Sequence, residues 1–161
     1  MKKITFCLVL IGVIFTSCLT TGEKSTEPLV YSEVVDLKNL SKDALYTKAN
    51  MWFVDAFKNA GSVIQFSDKE AGIIKGKYIS PGIGSDFGYR VDVGSTITVE
   101  VRDNRYKISF ADPDAYTINP STGGRGMTYK SVPVALVDKI TIDWKSLASN
   151  FKSYIASTDS W

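Results

Sequence analysis

Residues 93–110 read VGSTITVEVRDNRYKISF and predict the central hairpin of the fold. Apolar and polar side chains alternate on both sides of Asp103-Asn104-Arg105, a group of residue types that suits a tight turn. Successive side chains of a strand point to opposite faces, so the pattern predicts an antiparallel pair with one apolar and one polar face. The apolar set is Ile97, Val99, Val101, Tyr106, Ile108 and Phe110.

The chain before this hairpin predicts further strands. Tyr89, Val91 and Val93 continue the alternation, while Arg90 and Asp92 are expected to face the polar side. Residues 63–66 and 72–80 (GIIKGKYIS) form a predicted pair around the turn SDKEAG, and residues 80–88 (SPGIGSDFG) are interpreted as a loop. An apolar run over residues 29–40 predicts the first strand.

Two amphipathic helices are predicted. Ser41 is a suitable cap for the first, over about residues 42–60, and Gly61 is its expected stop. The second covers about residues 141–156, and residues 113–131 are expected to be irregular. Both helices carry apolar residues at three- and four-residue spacing: Leu45, Ala49, Trp52, Phe53, Ala56 and Phe57 in the first, and Trp144, Leu147, Phe151, Tyr154 and Ile155 in the second.

These elements predict an α+β fold, with an antiparallel sheet of about five strands and two helices packed on its apolar face. We expect a single folded domain over residues 29–161. It is preceded by a signal peptide over residues 1–17 and by a polar, flexible tether over residues 18–28. The folded part is long enough to bury a core without covalent support.

The sequence also carries a family resemblance. Residues 40–78 (LSKDALYTKANMWFVDAFKNAGSVIQFSDKEAGIIKGKY), followed by the 93–110 hairpin, resemble the DUF4468 family, and the likeness extends over about residues 29–118. This family comprises exported Bacteroidetes proteins with a TBP-like fold and no assigned function. The resemblance implies a TBP-like topology and a bacterial host, but it supplies no catalytic residue and no cofactor. Topology alone does not imply nucleic-acid binding.

The N-terminus predicts export and a lipid anchor. Lys2 and Lys3 precede an uncharged run over residues 4–15, which is shorter than the ~20 residues that span a bilayer. The sequence FTSC at residues 15–18 resembles the bacterial lipoprotein lipobox, which implies cleavage before Cys18 and lipidation of that residue. Leu19 then implies sorting to the outer membrane. The alternatives are an uncleaved membrane anchor, or an ordinary signal peptide that leaves Cys18 as a free thiol.

The composition excludes several chemistries. The chain has no histidine and two cysteines, Cys7 and Cys18, so histidine-based catalysis, disulfides in the mature domain and the common zinc sites are excluded. We expect no metal site and no cofactor. Removing Lys2 and Lys3 leaves 17 of the 19 basic residues against 17 acidic ones. This balance lacks the basic surplus of a nucleic-acid binder, and no nucleic-acid partner is expected.

Four short motifs have a catalytic or ligand-binding reading, and we interpret each one structurally. Residues 82–88 (GIGSDFG) lack the following helix that a phosphate loop needs. Residues 149–152 (SNFK) match S-x-x-K without its companion motifs. The pair Asp112 and Asp114 lacks calcium-loop spacing. The pair Asp68 and Glu70, a possible acid–base pair, lies in a predicted turn.

The aromatic residues give one candidate ligand site. If Tyr116 and Tyr129 line a groove under the 113–131 loop, they could stack on a sugar or a peptide. We therefore expect a lipid-anchored envelope protein without catalytic residues, acting as a binding or structural module. Its partner is an envelope protein, a peptide or a glycan. The alternative is a carboxylate-dependent hydrolase of an envelope or imported glycan, which would require a cleft with two or more converging carboxylates.

Overall fold

The computed structural model describes residues 28–57 and 63–157. The signal peptide, Cys18, most of the tether and Gly61 lie outside these ranges. The described residues form β1 (Tyr31–Asp36), α1 (Lys42–Ala56), β2 (Ile64–Asp68), β3 (Ile73–Asp86), β4 (Tyr89–Arg102), β5 (Arg105–Ile118), β6 (Arg125–Thr128) and α2 (Val134–Ala156).

The strands form one antiparallel sheet in the order β1-β5-β4-β3-β2, and β6 also pairs with β5. β1 and β6 share the edge of β5 that faces away from β4. β1 lies opposite residues 105–110, and β6 lies opposite residues 116–118. The predicted α+β architecture and the 93–110 hairpin are confirmed, with Val99 opposite Ile108 and the turn between Arg102 and Arg105.

Both helices bury their apolar stripe against one face of the sheet. Trp52 and Phe53 from α1 are fully buried, as is Trp144 from α2, which stacks on Phe110 with ring centroids 5.6 Å apart. The two helices also meet each other, since the Trp52 ring contacts Phe151 edge-on at 4.8 Å. The other face of the sheet carries mainly polar side chains, as the alternation predicts. Neither α1 nor α2 has the length and hydrophobicity needed to cross a bilayer.

The start of α1 is held by the β4–β5 turn. Ser41 caps the helix, with its hydroxyl accepting from the Ala44 amide at 3.3 Å, which confirms the predicted cap. The Lys42 amide donates to the Asp103 carboxylate at 2.7 Å, and the Asn104 amide donates to the Leu40 carbonyl at 2.8 Å. The first turn of the helix is thus fastened to a hairpin more than 60 residues later in the chain.

The prediction that residues 113–131 are irregular is wrong for residues 113–118 and 125–128, which form strands. β5 continues to Ile118 and β6 follows after a short turn. The register shifts between Gly94 and Thr96 on β4, and Asp112 on β5 has a φ of 51°. This irregularity shifts the alternation of apolar and polar residues midway along β5. The sequence of the second half therefore lacks a clear strand pattern and resembles a loop.

Other predicted boundaries also shift. Residues 80–88 do not form a loop, because β3 extends to Asp86 and a two-residue turn leads directly into β4. α2 begins at Val134, seven residues before the predicted start, and β1 and α1 are shorter than predicted. The early part of α2 is rich in β-branched residues, which have modest helix propensity. Leu136 and Ile140 nevertheless lie four residues apart and are both buried.

Candidate functional site

The turn between β3 and β4 places an aromatic side chain in solvent. Phe87 and Gly88 form this turn between the paired residues Asp86 and Tyr89. Their φ angles are 47° and 81°, as in two-residue type I′ turns, which favour Asn-Gly. A bulky residue at positive φ is strained, and Phe87 is 87% exposed, so little packing offsets the strain. An exposed, strained aromatic residue is a candidate for function.

Neighbouring side chains extend this apolar surface. Met127 is 60% exposed and Tyr89 is 46% exposed. They border a shallow cavity of about 350 Å³, which we call the hairpin-tip pocket. It is lined by Asp86, Phe87, Tyr89, Thr117, Asn119, Gly126 and Met127. Tyr89 was expected on the buried face of the sheet, but it lies beside the turn, beyond the cover of the helices.

β6 is held against β5 by the side-chain hydroxyl of Thr117. The Met127 amide donates to the Thr117 hydroxyl at 2.9 Å. A Cβ on Gly126 would lie 2.6 Å from that same oxygen, so a larger residue at this position would displace the Thr117 hydroxyl. The wall of the hairpin-tip pocket that carries Met127 is therefore held in place by Thr117.

Tyr129 ties the turn to the segment after β6. Its hydroxyl donates to the Asp86 carboxylate at 2.5 Å, and its amide donates to the Ala115 carbonyl at 2.9 Å. The hydrogen bond to Asp86, aided by burial, raises the pKa of Tyr129 to about 12. Tyr129, one of the two predicted ligand-binding residues, thus holds Asp86 at the edge of the hairpin-tip pocket and is not itself part of the pocket lining.

The other predicted ligand-binding residue, Tyr116, is not available for stacking. It is only 4% exposed, because the Arg125 guanidinium lies 3.7 Å from its ring centroid and is held there by Asp114 at 2.7 Å. Tyr129 packs against the core, whereas Tyr116 is paired with Thr128 and faces the opposite side. The structure therefore does not bring the two tyrosines into one groove.

The remaining acidic candidates have structural contacts. Asp92, expected to face solvent, is 4% exposed and accepts from the Gly82 amide at 2.8 Å, which holds the irregular part of β3. Asp68 accepts from the Ala71 amide at 2.9 Å and closes the β2–β3 turn. Asp114 is paired with Arg125. Within residues 28–57 and 63–157, no group of three or more acidic, histidine or cysteine side chains is placed to hold a metal ion.

The S-x-x-K match also has a structural explanation. Lys152 lies 3.5 Å from Glu33 on β1 and forms an ion pair with it, while Ser149 is exposed on α2. Neither side chain lines the hairpin-tip pocket. This match therefore marks a polar side of α2, as the sequence suggests.

The family assignment rests on the sheet and on α1. A family model described as "Domain of unknown function (DUF4468) with TBP-like fold" matches residues 31–115, just over half of the chain. The chain belongs to the DUF4468 family. Among curated proteins, none matches. The matched range of this DUF4468 chain includes Phe87 and Tyr89, whereas Met127 and Tyr129 lie beyond it.

Solved structures agree with the fold of this DUF4468 protein. A TBP-like protein from Parabacteroides distasonis ATCC 8503 is 16% identical, with a TM-score of 0.64 over 86% of this chain and 99% of the other. A DUF4468 family protein from Bacteroides ovatus ATCC 8483 is 17% identical, with a TM-score of 0.57 over 82% of this chain and 88% of the other. At these identities the likeness shows the fold alone, and it confirms the predicted TBP-like topology.

Proposed function

We propose that this DUF4468 protein is a lipid-anchored binding module of the cell envelope and that the hairpin-tip pocket is its contact surface. The anchor is Cys18, and the outer membrane is the expected location. One observation carries the binding role: the strained turn of the β3–β4 hairpin holds Phe87 in solvent beside Tyr89 and Met127. Exposed apolar side chains grouped at one site are typical of interaction surfaces.

The chemistry of the pocket supports binding over hydrolysis. A carboxylate-dependent glycan hydrolase needs two carboxyl groups facing one bond. Among the residues that line the hairpin-tip pocket, Asp86 is the one carboxylate, and it already accepts a hydrogen bond from Tyr129. The remaining lining offers apolar side chains and uncharged polar groups. The surface is therefore suited to contact with an apolar partner.

Photo-crosslinking in living cells tests the contact surface. A photoreactive phenylalanine analogue replaces Phe87 in one strain and Phe66 in another. Phe66 is the matched control because it is a half-exposed phenylalanine on β2, opposite Lys75 and far from the β3–β4 turn. We expect adducts, with lipid or with protein, from position 87 and not from position 66. Absence of adducts at position 87 would contradict the proposed contact surface.

Lipid labelling tests the anchor separately. Cys18→Ala should abolish incorporation of labelled fatty acid and slow processing of the precursor. Cys7→Ala is the control, since Cys7 lies in the segment that is removed and should leave labelling unchanged. Intact-mass analysis that shows an unmodified Cys18 in the membrane fraction would refute the anchor.

A further inference from the structure

The two ends of the sheet differ in polarity. The β3–β4 turn end carries Phe87, Tyr89 and Met127 in exposed positions. The opposite end carries the β2–β3 and β4–β5 turns, whose exposed residues are mainly charged or polar: Lys69, Glu70, Arg102, Asp103, Asn104 and Arg105. The β3–β4 turn end, which also carries the exposed polar β5–β6 turn, thus groups these apolar side chains and is called the apolar end, whereas the opposite end suits water.

The direction of β1 relates the anchor to the apolar end. β1 is antiparallel to β5, with Tyr31 opposite Phe110. Tracing the chain back from Tyr31 to Pro28 therefore follows the direction in which β5 runs, and Pro28 lines the same cavity as Pro113. Thr117, four residues further along β5, lines the hairpin-tip pocket. Followed backward from Tyr31, the described chain thus runs toward the apolar end.

The length of the chain before Pro28 allows the anchor and the apolar end to meet one surface. Ten residues lead from Cys18 to Pro28. At no more than ~3.5 Å per residue, they place Cys18 within ~35 Å of Pro28. From Pro113 to Thr117, β5 advances by only about 13 Å, at ~3.3 Å per residue. The β3–β4 turn therefore lies well within the reach of a membrane that holds Cys18.

We propose that the partner of the hairpin-tip pocket is the lipid bilayer itself, with Phe87 and Met127 inserted beside the lipid-anchored Cys18. This inference rests on the proposed function, since it uses the Cys18 anchor. A small apolar surface binds a bilayer weakly when it is free. The anchor holds it at the membrane at a high effective concentration. The anchor and the turn together then fix the orientation of the domain, with the charged end pointing away from the lipid.

The arginines near the turn are paired with carboxylates of the protein, which argues against an electrostatic contact with lipid. Arg90 is paired with Asp92 at 2.8 Å, and Arg125 is paired with Asp114 at 2.7 Å. Because each of these arginines is neutralised within the protein, insertion should depend little on anionic lipid or on salt. This distinguishes the contact from an electrostatic one.

The test attaches the mature chain, residues 18–161, to vesicles through its single thiol, Cys18, using a maleimide lipid. The vesicles are zwitterionic phosphatidylcholine with brominated acyl chains, which quench tryptophan that enters the bilayer. Phe87→Trp is compared with Phe66→Trp, and the parent chain corrects for its own tryptophans. Far-ultraviolet circular dichroism checks that each variant is folded. We expect loss of most of the added emission for Phe87→Trp and no loss for Phe66→Trp, with unchanged results in high salt.

Two outcomes of the quenching experiment would overturn the inference. One is an absence of quenching for Phe87→Trp on brominated vesicles, and the other is equal quenching for both variants. A protein, rather than a lipid, cross-linked to position 87 in cells would also overturn it, although the proposed contact surface would stand. Because the chemical coupling replaces the native lipid, the two quenching outcomes do not depend on whether Cys18 is lipidated in the cell.

Discussion

At the scale of single residues, the β3–β4 and β4–β5 turns place different residue types in the same left-handed backbone conformation. Asn104 and Phe87 both adopt positive φ, at 58° and 47°. Asparagine tolerates this conformation, and its side chain also accepts from the Leu40 amide at 3.0 Å. Phenylalanine does not tolerate this conformation as well, so Phe87 lowers the stability of the domain while it places a ring in solvent.

We therefore predict that Phe87→Asn stabilises the domain. Relief of the left-handed strain should raise the free energy of unfolding by about 1 kcal/mol. The same variant should lose the lipid contact. Asn104→Phe is the reciprocal variant and should be destabilising, because it introduces the strain and removes the bond to Leu40. Denaturant titration measures both effects, and a loss of stability in Phe87→Asn would show that the ring packs in the folded state.

Trp52 carries a second prediction at this scale. It is 1% exposed, its ring lies among Phe53, Phe57 and Phe151, and its indole N–H donates to Asn150 at 2.8 Å. Trp52→Ala should cost about 3–5 kcal/mol, a large share of the stability of a small domain. Lys75→Ala, at an exposed position of β3, is the control. A loss below about 1 kcal/mol in Trp52→Ala would contradict the packing.

At the scale of elements, the attachment of α1 to the β4–β5 turn is testable. Asp103→Ala removes the acceptor for the Lys42 amide and should cost about 1 kcal/mol, as for the loss of a helix cap. Glu70→Ala is the control, because the contact of Glu70 with Lys42 uses its backbone carbonyl. Thermal unfolding followed by circular dichroism compares the two variants. Equal melting temperatures would show that Ser41 alone caps the helix.

The elements that follow simple periodicity could be predicted from sequence, and the others could not. β4, the first half of β5 and α1 alternate or repeat regularly. β6 has only four residues and no buried side chain, so it carries no apolar pattern. The second half of β5 follows a register shift. The start of α2 is rich in β-branched residues, which weaken the helix prediction there. In each case, long-range pairing or packing decides the structure.

The site was missed for a related reason. A two-residue turn is recognised from Asn-Gly or Asp-Gly, and Phe87-Gly88 lacks the first of these residues. The phenylalanine that stands in place of asparagine or aspartate makes the turn hard to recognise, and it also provides the exposed ring. Tyr116 and Tyr129 lie in a segment whose sequence predicts a loop, but one is covered by Arg125 and the other is hydrogen-bonded to Asp86.

At the scale of the whole molecule, tyrosines with raised pKa values predict how stability depends on pH. Burial, and then the hydrogen bond to Asp143, raise the pKa of Tyr78 well above its ordinary value. Burial, and then the Glu33 charge, raise the pKa of Tyr106. The hydrogen bond to Asp86 raises the pKa of Tyr129 to about 12. These hydroxyls therefore keep their protons in the folded state at a pH where an unfolded tyrosine loses them.

The sign follows from proton linkage. Above pH ~10 the unfolded chain binds fewer protons than the folded one, so the free energy of unfolding should fall as the pH rises toward ~12. Below pH ~10 these tyrosines should contribute no pH dependence. Denaturant titrations at several alkaline pH values measure the decline, and Tyr129→Phe should make it shallower. A free energy that stays constant between pH ~10 and ~12 would contradict the assignment.

The pairing of β1 with β5 has a consequence for a chain that emerges from a ribosome or a translocon with its N-terminus first. Tyr31 has no strand partner until Phe110 has appeared, 79 residues later, and α2 must still follow to cover the sheet. Because α2 runs to Ala156, the chain has to be out as far as that residue before the core can close. If the chain is exported as proposed, this topology favours passage through a translocon before the core has formed, since its strand pairs are distant in sequence.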